Sequence, residues 1–209
     1  MKTKVVILAL LSGMLATSGL LAQSDTVATS ATAPSATKKS IHYTNNLMFG
    51  ALFGKNGYGT YISLNTTHGV RYGRWTAGIG TGYDVYKDWN TLPVFGSVSY
   101  DFAHSGEHTF FAQLNGGYAW AFYSVTDYTN MDSKGGRMFN PMVGYRFKIS
   151  DKVRLYLSAG YKFQRINYEF TPNVFYMYDW VPGATYVTPV TKVQRDMDRV
   201  VVQIGLGLF

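Results

Sequence analysis

Apolar and polar residues alternate along most of this chain. From Trp75 to Tyr86, one phase carries Trp75, Ala77, Ile79, Thr81, Tyr83 and Val85. The other carries Thr76, Gly78, Gly80, Gly82, Asp84 and Tyr86. Period two predicts a strand with two unlike faces, because successive side chains leave a strand on opposite sides. The pattern recurs downstream. Phe110, Ala112, Leu114, Tyr118, Trp120 and Phe122 oppose Gln113, Asn115, Gly117 and Ala119. Phe139, Val143, Tyr145, Phe147 and Ile149 oppose Asn140, Gly144, Arg146 and Lys148. Val153, Leu155, Leu157, Tyr161 and Phe163 oppose Arg154, Ser158, Gly160 and Lys162. Near the end, Val200, Val202, Ile204, Leu206 and Leu208 share a phase. One face is apolar with aromatic ends; the other is small or charged.

Punctuated by glycine and polar clusters, the chain divides into eight expected strands: 46–53, 58–72, 75–86, 93–102, 109–123, 138–149, 152–170 and 197–209. The alternation fits two architectures. In a soluble sandwich the apolar face points inward, and in a membrane barrel it points at lipid. Strand length separates them. These runs exceed the roughly 5–6 residues usual in globular strands and reach the about 9–11 that a tilted spanning strand needs. Connection length agrees. With the N-terminus on the periplasmic side, the periplasmic connections are 73–74, 103–108 and 150–151, all short, and the outer ones include the long loops 124–137 and 171–196. Short periplasmic turns with longer outer loops are the barrel pattern. The expected fold is an all-β, eight-stranded antiparallel transmembrane up-and-down β-barrel over residues 46–209.

The N-terminus supports export. Lys2 and Lys4 precede the apolar run from Val5 to Leu11, small residues follow, and Ala22 is the expected last residue removed. This is the layout of a signal peptide, and its apolar part is too short to span a bilayer. Residues 23–45, with Ser, Thr and Ala enriched around Pro34, read as a flexible periplasmic lead-in. Cysteine is absent, which excludes a lipid-anchored lipoprotein, disulfides and thiolate metal sites. Removing the signal takes the formal net charge from +7 to +5, and no basic run exceeds Lys38–Lys39, so nucleic acid is not an expected partner. Anionic lipid is a better match for scattered positive charge.

Several segments carry a resemblance: TTHGVRYGRW at 66–75, AGIGTGYDVY at 77–86, LPVFGSVSYDF at 92–102, KGGRMFNPMVGYRF at 134–147 and LSAGYKFQR at 157–165. Their order and spacing resemble a family of small outer-membrane β-barrel proteins with the eight-stranded architecture of OmpA and OmpX. The resemblance implies the outer membrane of a Gram-negative bacterium. It carries no reaction or ligand to any residue here.

Candidate chemistry is sparse. Arg71, Asp101, Arg146, Lys148 and Arg154 should point inward near the periplasmic end. Buried charge must be paired or hydrated, so Asp101, the one acid in that group, is expected to bridge two of the bases. An eight-stranded barrel is just wide enough to be filled by side chains, so the lumen is expected to be plugged. Catalysis on lipid acyl chains would need His with Ser and an acid. Yet Ser63 and His68 have an odd separation and face opposite ways, and His104 and His108 share a turn with Ser105 and Glu107. No enzyme, cofactor or metal site is expected; a lipid deacylase and a narrow channel are the alternatives. AGIGTG lies within a strand with no helix after it, so it is not a dinucleotide loop. Phe175, Tyr176, Tyr178, Trp180 and Tyr186 crowd loop 171–196 between prolines; they either pack on the upper rim or extend the last two strands as a hairpin, or they offer a surface to an extracellular partner. Phe209 is the expected mark for the barrel-assembly machinery, although strict alternation turns it to the phase of Gly205 and Gly207.

Overall fold

The computed structural model describes residues 40–54, 59–123, 131–171 and 190–208. Eight strands follow one another: β1 (Ile41–Gly54), β2 (Thr60–Tyr72), β3 (Trp75–Val85), β4 (Trp89–Ser105), β5 (His108–Tyr123), β6 (Met131–Lys148), β7 (Val153–Phe170) and β8 (Thr191–Leu208). Each pairs with the next and β8 pairs with β1, antiparallel throughout, so the sheet closes into an up-and-down barrel. Closure leaves no full-length edge strand. Ala22, Phe175, Tyr176, Tyr178, Trp180, Tyr186 and Phe209 lie outside the described residues.

Four strands start several residues earlier than their side-chain pattern indicated. β1 begins at Ile41, within the stretch assigned to the lead-in, and pairs Ile41 with Tyr72. β4 begins at Trp89 rather than 93, β6 at Met131 rather than 138, and β8 at Thr191 rather than 197. The loop expected over 171–196 therefore shrinks to residues 171–190. The ladder explains these extensions. Met131 and Thr191 both pair with Phe170, and main-chain hydrogen bonds need no apolar alternation to form.

One end of the barrel carries only tight connections and is called here the turn end; the other is the loop end. At the turn end, Gly73 has φ 60° in the connection from Tyr72 to Trp75. That left-handed conformation favours glycine in a tight hairpin.

The large apolar side chains stand on the outside. Ile79 is 72% exposed, and Leu47, Phe49, Val143, Ile204 and Leu206 are about half exposed. On β8 the apolar stretch runs from Val200 to Leu208. About nine residues at ~3.3 Å each, tilted by about 40°, rise roughly 23 Å, close to the about 25 Å apolar band of a spanning barrel. The inside holds Asp84, Asp101, Arg146, Lys162, Gln164 and Arg199, all buried. Two phenylalanines share that space. Phe95 lies where a side chain on Gly80 would be, and Phe111 does the same at Gly144. The inward glycines thus make room for rings from the neighbouring wall.

Candidate functional site

Charged side chains meet inside the barrel at two levels. Near the turn end, Asp101 of β4 accepts hydrogen bonds from Arg71 of β2 and, at 3.1 Å, from Arg146 of β6. Local backbone geometry sets the carboxylate there. The β4–β5 register shifts between Asp101 and Ala103, and the Asp101 amide donates to the Arg74 carbonyl at 2.9 Å. A bulge of this kind re-aims a side chain at a barrel rim. The Arg146 guanidinium lies 5.0 Å from the Phe111 ring centroid and 4.8 Å from that of Tyr156. Those two rings meet edge to face at 5.7 Å. A cation held between aromatic faces gains from their quadrupoles where water is scarce.

The five residues expected to form one cluster do not all meet. Lys148 instead pairs with Asp151, three residues on, at 2.7 Å, in a connection open to solvent. As the strand reaches the mouth, its inward phase no longer leads into a lumen. Arg154 is opposite Lys148 in the β6–β7 ladder and is only partly buried.

The second level, toward the loop end, was not anticipated as a cluster. Lys162 of β7 donates to Asp84 of β3, and both are almost fully buried. Asp84 also accepts from Ser63 Oγ at 2.6 Å and from Thr91 Oγ1 at 3.3 Å, while Asn65 donates to Ser63 Oγ at 2.9 Å. A buried ion pair persists when its remaining lone pairs are satisfied in this way. The inward phase of both residues was legible; their meeting across 78 residues of sequence was not. Above the pair, Leu52, Ile166, Met197 and Val201 are buried together with Tyr86 and Trp89. Trp89 packs against Tyr123 and Tyr168 at centroid distances of 4.9 and 5.0 Å. Tyr86 donates to Gln164 Oε1 at 3.2 Å, and Arg199 lies over the Tyr61 ring at 5.4 Å.

Between the two levels polar side chains line the lumen beside the buried Phe95 and Met138. Gln113 donates to Ser97 Oγ at 3.1 Å and to Asn115 Oδ1 at 2.9 Å. Asn140 Oδ1, Ser158 Oγ and Gln203 Nε2 are buried and make no hydrogen bond among the described residues. Such atoms are ordinarily satisfied by internal water.

The histidines do not build a catalytic set. His68 faces outward, where its Nδ1 meets the Tyr43 hydroxyl at 2.6 Å, whereas Ser63 is inside on Asp84. His104 bonds Thr109 at 2.9 Å and His108 bonds Tyr145. Among the described residues no group of three or more His, Asp or Glu gathers as a metal site. An apolar groove of about 520 Å³ lies on the outer surface, lined by Trp75, Val98, Ala112, Leu114, Val143 and Ala159.

The closed eight-strand order with its apolar exterior decides the comparison with known structures. The fold is that of the eight-stranded outer-membrane barrels. Neisserial surface protein A is similar, with a TM-score of 0.55 at 12% identity over 81% of this chain and 99% of that one. The outer membrane protein OprG from Pseudomonas aeruginosa is also similar, with a TM-score of 0.51 at 13% identity over 79% of this chain and 94% of that one. At these identities the likeness is one of fold. No family model and no curated sequence matches the chain.

This outer-membrane-type barrel has walls of unequal height. β1 ends at Gly54 opposite Arg199, but β7 and β8 stay paired beyond that point, from Asp198 up to Thr191. On this tall wall Arg165 grips Asp196 at 2.7 and 2.9 Å, Lys134 donates to Glu169 at 2.8 Å, and Tyr161 donates to Asp198. The hydrogen bonds from Arg165 and Lys134 hold the carboxyls of Asp196 and Glu169 below the ordinary carboxylate range.

Proposed function

We propose that this is a non-enzymatic barrel of the Gram-negative outer membrane, with its termini in the periplasm and a plugged lumen. Its role is contact with partners outside the cell, through the tall wall and the two longest outer loops. The observation that carries this reading is the contrast along the barrel axis. Side chains cross the interior at two levels, through Asp101 with its arginines and through Asp84–Lys162. The wall from β6 to β8 continues beyond the apolar band as paired, charged strand. A wall that rises past the membrane and ends in long connections serves recognition better than transport. One of its structural neighbours is itself a surface protein.

Two experiments test the reading. Purified protein in planar bilayers is expected to give no stable conductance, and reproducible open-channel steps would contradict a plugged lumen. Deleting residues 174–187 is expected to leave the barrel folded while abolishing attachment to a partner or surface. Persistent attachment would remove the loop from the account. A narrow, water-holding path is the second reading, favoured by the buried polar atoms of Asn140, Ser158 and Gln203; the bilayer recording separates the two.

A further inference from the structure

The outer wall is not evenly convex. Around most of it large side chains stand up from the sheet, Ile79 most of all. On one arc they give way to a furrow. Its floor is a single ladder row in which Tyr100 lies opposite Ala112, Ala112 opposite Val143, and Val143 opposite Ala159. The two alanines carry one carbon each beyond the backbone, so the row dips between its neighbours. The row on the loop side, Val98, Leu114 and Pro141, forms one bank. The row on the turn side, Phe110, Tyr145 and Leu157, forms the other. Trp75 and Tyr100, with ring centroids 4.7 Å apart, close one end. This is the apolar groove of about 520 Å³.

The furrow climbs through half of the membrane. The row through Asp84, Thr91 and Ala121 reaches β7 near Asn167, yet Asp84 meets Lys162, nearer the turn end. Ladder rows therefore rise toward the loop end from β3 to β7. Four steps from Trp75 to Ala159, at about 4.8 Å each, make roughly 19 Å, and with strands tilted by about 40° the rise is about 12 Å. That is half of the about 25 Å apolar band, the depth of one leaflet. Trp75 and Tyr100 stand at the low end, by the turn-end border of the band, where aromatic rings gather in spanning barrels. Arg74, the neighbour of Trp75 in the β2–β3 connection, is exposed just beyond them.

We propose that this furrow binds one glycerophospholipid from the leaflet at the turn end. One acyl chain lies along the alanine floor, and the phosphate sits against Arg74. A chain in a concave track touches protein on three sides, whereas a chain on the convex wall touches it on one, so dispersion contacts hold it against exchange with bulk lipid. A track one leaflet deep with a cation at its low end selects a hydrocarbon chain that carries an anionic head. A second copy of this chain does not fit. An isologous two-fold contact sets furrow against furrow and leaves a void between them.

The test uses the full mature chain in mild detergent with added dipalmitoyl phosphatidylglycerol, read by native mass spectrometry. One phosphatidylglycerol is expected to stay on each barrel after the others are stripped. Ala112→Phe combined with Ala159→Phe fills the floor and should lower that occupancy about tenfold. Arg74→Glu changes an exposed connection, leaves the furrow unaltered and should lower it about fivefold. Fluorescence places the chain. The Trp75 signal, taken as the difference between the wild type and Trp75→Phe, should be quenched by the same lipid brominated close to its carbonyls, saturating at one lipid per barrel. Lipid brominated at the chain ends should quench it much less. Equal occupancy in the wild type and both variants, or quenching that rises without saturation, would mean a chain exchanging freely with the bulk and would overturn the proposal. A protein dimer in place of bound lipid, lost when the floor is filled, would assign the furrow to a second copy and overturn it as well. These readouts in detergent report neither conductance nor attachment to a partner, so their failure and that of the contact reading are distinguishable.

Discussion

The two charged levels inside the barrel solve one problem differently. At the Asp84–Lys162 level, one acid meets one base, both are enclosed, and hydroxyls from Ser63 and Thr91 take the spare lone pairs. At the Asp101 level, one acid serves Arg71 and Arg146, Arg71 retains some solvent exposure, and aromatic faces rather than further acids support Arg146. At the deeper level Lys162 has an acid of its own, and the neighbouring Arg199 is carried by the Tyr61 and Tyr86 rings. Near the mouth one acid is shared by two guanidiniums, one of them partly open to water. Position along the axis, more than residue type, sets what each charge requires.

The largest effect should come from breaking the enclosed pair. Asp84→Ala leaves a buried ammonium without its acid and is expected to cost about 3–5 kcal/mol in urea unfolding from detergent micelles. Asp84→Asn combined with Lys162→Met should recover most of that loss, since removing both charges of a buried pair is nearly neutral. At the mouth, Asp101→Ala should cost less, about 1–3 kcal/mol by the same measurement, because Arg71 can hydrate and the Phe111 and Tyr156 rings still hold Arg146. Equal losses at the two levels would erase the contrast.

The tall wall responds to pH. Asp196 and Glu169 have folded pKa values below their unfolded ones. Their contribution is therefore present above the ordinary carboxylate range, about 4, and is lost as pH falls through the lower folded values. Amides of upper β7 and β8 should lose protection at pH 3 relative to pH 7, after correction for intrinsic exchange, while those from Val200 to Leu208 stay protected. The smallest effect is expected at Lys148, whose partner Asp151 is fully open to solvent. Lys148→Ala should leave the unfolding midpoint unchanged.

What could be read from the sequence follows the same axis. Within the apolar band, alternation reported β3 and β5 to β8 with their facing, because only one side of the wall meets lipid. Beyond the band both sides are wet, so Met131–Arg137 and Thr191–Asp196 carry no such signal and read as loop although they are strand. The start of β1 was missed for a related reason: His42, Thr44 and Asn45 dilute the phase set by Ile41 and Tyr43. Inside the barrel, the inward facing of Asp84 and Lys162 was legible, but which inward residues meet depends on register around a closed sheet, and alternation does not encode register. Phe95 and Phe111 also escaped notice, since apolar residues on the polar phase look like exceptions until the glycines that receive them are placed opposite. Lys148 was grouped with the lumen because phase alone does not tell where the lumen ends.

The account depends on which face of the wall meets hydrocarbon. Lipid carrying a paramagnetic label deep in its acyl chain tests this directly by NMR on protein in nanodiscs. Signals of Val202, Ile204 and Leu206 are expected to broaden strongly, and those of Gln203, Ser158 and Asn140 to remain sharp. Broadening of the second group with the first unaffected, or a mature chain that stays monomeric in water without detergent, would contradict it.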